Sequence, residues 1–81
     1  MHHARMKPDG TLEVADEAYR LVELASARFR LERVRDGATM GELTVPLHGR
    51  PETKPADAAA APVVEAVAEL LGAPRGLLPL Q

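Results

Sequence analysis

The chain has 81 residues, a formal net charge of -2 and a pI near 5.9, with no cysteine or tryptophan, one tyrosine and one phenylalanine. A single domain of this size buries only about 60% of its surface, and without cysteine neither a disulfide nor a thiolate zinc site can staple it. The interspersed charges give no global field for nucleic acid, and with no Asn, Gln only at Gln81 and two aromatics, amide readers of adenine and base-stacking platforms are scarce.

No run of about 18 apolar residues is present, and the first ten residues, MHHARMKPDG, lack the apolar core of a signal peptide. These features predict a soluble, cytoplasmic protein that forms one domain over residues 1–81, with a flexible start at 1–4.

In chain order, RMKPDGTLEV (residues 5–14) places β-compatible arms around Pro8-Asp9-Gly10, where Pro presets φ and Gly permits a positive φ. The pattern predicts an N-terminal hairpin. From Asp16 to Asp36 there is neither Gly nor Pro. Asp16 can cap a helix whose apolar face is Ala18, Leu21, Val22, Ala25 and Phe29. Beyond Phe29 that face fails, and residues 28–31 alternate as a strand would. Two readings stand: one helix over 16–36, favoured by its Ala, Glu, Leu and Arg content, or a helix to about Ala27 followed by a strand.

Gly37 and Gly41 are expected to bracket a turn, and ELTVPL (42–47) reads as a strand that is either an edge or has Pro46 at a bulge, because Pro46 has no N–H for a ladder. Residues 49–61 read as a Pro- and Ala-rich loop. The last helix, 61–72, carries an apolar stripe of Val63, Val64, Val67, Leu70 and Leu71, with Glu65 and Glu69 facing away, Pro62 in its first turn and Gly72 at its stop. The tail RGLLPLQ leaves Leu77, Leu78 and Leu80 to find burial internally or on another chain. Together these elements predict an α+β fold: a small two-layer domain with a mainly antiparallel sheet packed against one or two helices.

The chemical inventory is thin. His48 is the one histidine in the body of the domain and the only catalytic candidate, yet no fixed-spacing motif supplies a group to orient it. A solvated strand end is the expected role. Ser26 lies in LASAR without a Gly-rich elbow, and the carboxylates read as helix start and solvated face.

Met1-His2-His3 can chelate Cu(II) or Ni(II) through the amino group, amides and third-position imidazole. Any chain starting this way would do so, so His2 and His3 are an incidental site, and no cofactor is expected. Arg28, Arg30, Arg33 and Arg35 crowd four cations into eight residues. With Arg50 and Lys54, Arg28 and Arg30 are the candidates for phosphate contacts.

Over longer stretches the chain resembles the YggU-like family of small uncharacterised α+β proteins. YRLVEL is similar to their first strand, ELTVPLHGRPETKPAD to their second strand and loop, and VVEAVAELLGAPR to their helix and its exit. Asp57 stands where that loop has Asn, and Lys54 where it has Gly. The resemblance runs from Tyr19 to the end and implies a fold without an established activity.

LTVPLHGRPETKP, residues 43–55, also resembles the last strand and loop of HicA-type toxins, small ribonucleases with a double-stranded-RNA-binding-like fold. That likeness implies RNA binding and puts His48 at a strand end. The Gly-Ser-His segment holding that family's catalytic histidine has no counterpart in residues 28–41.

The composition and the apolar tail favour a non-enzymatic protein-interaction module, self-associating through Leu77, Leu78, Leu80 and the edge at 42–47. The alternative is an RNA-binding or ribonuclease-like protein of toxin–antitoxin type, acting through Arg28, Arg30, Arg50, Lys54 and His48. Neither reading involves a membrane.

Overall fold

The computed structural model describes residues 3–47 and 49–72. Six antiparallel strands run in chain order across one sheet: β1 (Ala4–Met6), β2 (Leu12–Val14), β3 (Glu17–Ala25), β4 (Arg28–Arg33), β5 (Thr39–Thr44) and β6 (Glu52–Pro55). Among the described residues one helix, α1 (Ala61–Leu71), follows. It touches β1 and β2 at one end of the sheet and β5 and β6 at the other, so the sheet curls around it. This is the two-layer α+β architecture that the sequence predicts. No helix among the described residues is long and apolar enough to cross a membrane.

The first hairpin forms as expected. The Lys7 carbonyl accepts from the Gly10 N–H and the Lys7 N–H donates to the Thr11 carbonyl, with Gly10 at φ 93°. Asp9 accepts from both the amide and the hydroxyl of Thr11, which locks the turn and lowers the Asp9 pKa.

Both helical readings of residues 16–27 are overturned. Asp16 caps no helix: it sits with Ala15 in the two-residue turn joining β2 to β3, at φ 67° and 51°. Two consecutive positive φ values match the twist of the flanking strands, and they end any helix before it starts. A second tight turn at Ser26 and Ala27 (φ 64°) returns β3 onto β4.

Once paired, the segment follows a period of two: Tyr19 faces the core, Arg20 solvent, Leu21 the core side. The expected helical face splits between the two sides of the sheet. Good helix formers are overridden because strand pairing carries Tyr19 and Leu31 into the core and satisfies backbone groups on both flanks. The strand expected after Ala27 is β4.

The unusual Ala15-Asp16 turn makes a prediction. Ala in the left-handed region costs about 1–2 kcal/mol, and both residues are exposed. Changing Ala15→Asn together with Asp16→Gly installs the preferred two-residue turn. It is expected to stabilise the domain by about 1 kcal/mol, a rise of roughly 4–8 °C in Tm. An unchanged or lower Tm would contradict the turn geometry.

Three further expectations are corrected. Gly37 (φ 73°) lies in the β4–β5 turn, but Gly41 lies inside β5. β5 is no edge: it pairs with β4 on one side and β6 on the other, and Pro46 falls beyond its last residue. The stretch 49–61 is not all loop, because β6 forms between Pro51 and Ala56. Its strand pairing covers residues 42–44 of the edge expected at 42–47.

The register also skips Met40, as Leu31 faces Gly41 while Glu32 faces Thr39. This bulge turns the Met40 side chain into the core. Leu12, Leu31, Leu43, Val14, Val64 and Val67 are its largest fully buried side chains.

α1 begins at Ala61 with Pro62 in the first turn, as predicted. Asp57 accepts from the Ala60 N–H at 2.8 Å just ahead of it. Glu65 and Glu69 are exposed, and the Gly72 N–H closes on the Ala68 carbonyl. The Thr53 hydroxyl donates to Glu65 at 2.7 Å, tying β6 to the helix.

Candidate functional site

Two surfaces of the sheet carry the chemistry. The first is the outer face, away from α1. Strand alternation sets Arg5, Glu13, Arg20, Glu32, Arg30, Glu42 and Lys54 on this side, and the register brings opposite charges together across strands. Arg5 reaches Glu13 at 2.6 Å, and Arg28 reaches Glu42 at 3.4 Å. Glu32 accepts from Arg20 at 3.1 Å and from Arg30 at 2.7 Å. The Arg30 and then the Arg20 hydrogen bonds hold the Glu32 carboxyl below the usual carboxylate range, against the opposing effect of its partial burial.

At the β4–β5 turn, Arg33 pairs with Asp36 at 2.7 Å and holds that carboxyl far below its ordinary value, with help from the Ala38 N–H. Burial pushes the Tyr19 phenol up. The Glu32 and Asp36 shifts come from hydrogen bonds to arginines and the Tyr19 shift from burial, and all three move their groups away from neutral pH, whereas proton transfer uses tuning toward pH 7.

Between β4 and β6 this face holds an open depression of about 410 Å³, lined by Arg28, Glu42, Thr44, Glu52, Thr53 and Lys54. Of the cationic candidates, Arg28, Arg30 and Lys54 are therefore brought onto one face, as a strand predicts for the first two. They arrive with carboxylates between them. Two cations and two carboxylates line the depression, so it has no net charge with which to hold a polyanion. Arg50 lies apart, exposed in the segment before β6, and among the described residues neither it nor Lys54 has an ion-pair partner within 4.0 Å.

The second surface is the end of the sheet at the β3–β4 turn. The register skips Leu24 between Glu23 and Ala25, a bulge that leaves its side chain exposed. The Val45 N–H donates to the Ala27 carbonyl at 2.7 Å, which brings the segment after β5 to the same end. Leu47, two residues on, is 98% exposed. Leu24 and, after β5, Val45, Pro46 and Leu47 are thus apolar residues toward this end of the sheet, with half-buried Phe29 on β4.

The sequence places Val45, Pro46 and Leu47 in a self-associating edge at 42–47 but gives no sign of Leu24 or of the turn they meet. The stretch TVPL reads as strand, yet only Thr44 of the four belongs to β5.

Several candidates fall outside the described residues: His48, His2, and Leu77, Leu78 and Leu80. His3 is exposed, and among the described residues no three His, Cys, Asp or Glu side chains are grouped to hold a metal ion. No family model matches the chain, and no curated protein and no solved structure is significantly similar to it.

Proposed function

We propose that this chain is a small, non-enzymatic protein-interaction module that self-associates through the apolar end of its sheet. The observation that carries this reading is Leu47, which is 98% exposed just beyond Val45, whose N–H is tied to the β3–β4 turn, in a domain with a small core. A domain this size gains most from covering such a group, since burying one leucine contributes about 1.5–3 kcal/mol. The apolar residues Leu77, Leu78 and Leu80 would add to the same association. Its composition suits a cytoplasmic setting.

An RNA-binding reading rests on Arg50 and Lys54, the two candidate cations that have no carboxylate partner among the described residues. It is the less supported, because Arg28 and Arg30 are already engaged by Glu42 and Glu32.

Sedimentation equilibrium tests the reading. The native chain is expected to dimerise or form a larger oligomer as concentration rises, and Leu47→Asp is expected to weaken that association at least about tenfold, the equivalent of 1.4 kcal/mol. Equal association by the variant, or a native chain that stays monomeric at high concentration, would refute it.

A further inference from the structure

We propose that the free edge of β1 accepts an extended, acidic segment of another protein as an added strand. Among the described residues β1 ends the sheet and pairs only with β2. Lys7 and Thr11 are a hydrogen-bonded pair, so alternation makes Arg5 and Glu13 the next one. The N–H and C=O groups of Ala4 and Met6 then point away from β2. No described residue outside the sheet supplies a backbone partner for either. Met6 is 54% exposed. Such an edge is a template for strand addition, in which main-chain hydrogen bonds supply affinity and alternate side chains supply specificity.

The opposite edge is differently built. β6 is preceded by Pro51 and closed by Pro55, which withhold N–H groups from an incoming strand. β1 contains no proline.

The occupant follows from charge. His3, Arg5 and Lys7 alternate onto one side of β1, and the outer face of this sheet alternates its charges across strands. Arg5 faces Glu13, Arg20 faces Glu32, and Arg30, Glu42 and Lys54 lie in one row. Continuing that order beyond β1 places a carboxylate opposite Arg5.

A second copy of β1 is the wrong partner, because any antiparallel pairing with continuous faces sets His3, Arg5 and Lys7 against the same three residues, and like charges directly opposite repel. The residues after Gly72, APRGLLPLQ, contain no acidic side chain and do not fit either.

The probes are two fluorescein-labelled peptides, one alternating Glu and Val and one alternating Lys and Val, titrated by anisotropy at low salt. Using the Leu47→Asp protein as well as the native chain separates this edge from self-association. The Glu peptide is expected to bind at least tenfold more tightly than the Lys peptide to both proteins.

Met6→Pro removes the outward N–H at a position where an edge strand tolerates proline, and should cost at least tenfold in affinity with Tm nearly unchanged. The paired exchange Arg5→Glu with Glu13→Arg keeps the internal ion pair and should reverse the preference. Absence of binding, equal binding of both peptides, or a preference unmoved by the exchange would overturn the proposal.

Discussion

Replacing Gly41 with valine is expected to leave the domain largely unfolded at room temperature. Gly41 sits inside β5 at φ 155°, a conformation that side chains with a Cβ rarely adopt. A Cβ there would lie 2.6 Å from the Lys54 carbonyl oxygen, 2.9 Å from Pro55 Cα and 3.1 Å from Val64 Cγ2. Two of those neighbours are backbone atoms of β6 and cannot rotate aside; the third is the fully buried heart of α1. The bare position is what lets the helix close onto the sheet where β5 and β6 meet.

Overpacking alone costs about 1–3 kcal/mol, and forcing apart a strand pair and a helix adds to it, against a total stability of roughly 4–12 kcal/mol for a chain of this length. Gly37→Val is the control. Its φ of 73° is strained, but nothing lies within 4 Å of its Cβ, so only about 1–2 kcal/mol should be lost. Thermal denaturation followed by circular dichroism separates the two, and a Gly41→Val protein melting within a few degrees of the native chain would show that the helix is not seated there.

Leu31→Ala is expected to cost about 3–4 kcal/mol, in the upper part of the range for buried leucines. Leu31 is fully buried at the centre of β4, in a cross-strand row with Leu21, Gly41 and Pro55. Its neighbour Gly41 has no side chain to move into the space, so the cavity stays open.

Leu47→Ala removes the same atoms from an exposed site and should change stability by less than about 0.5 kcal/mol. Urea denaturation midpoints give both values. A loss below about 1 kcal/mol at Leu31 would mean that the core is not centred on this row.

How much of this was legible in the sequence depends on whether the decisive interactions were local. The first hairpin was legible because Pro8, Asp9 and Gly10 act within five residues, and α1 was legible because Pro62, the Val63 to Leu71 stripe and Gly72 define a helix without outside help.

Residues 16–36 were misread because helix propensity is local while the forces that won are not. The strands depend on turns at Ala15-Asp16 and Ser26-Ala27 that lack glycine, and on pairing with residues up to sixteen positions away, as between Arg28 and Thr44. β6 was hidden between prolines that suggested only loop. For the same reason the arginines of β4 were visible as a patch, but Glu42, which neutralises Arg28, could be assigned to it only once the register was known.

The central claim, that the apolar end of the sheet is an interface between copies, is tested most directly by following backbone and methyl NMR signals while the protein is diluted. The account predicts concentration-dependent shifts concentrated at Leu24, Val45 and Leu47, with the outer-face residues Arg20, Arg30 and Glu32 unmoved. Spectra that do not change with concentration, or shifts centred on the outer face instead, would contradict it.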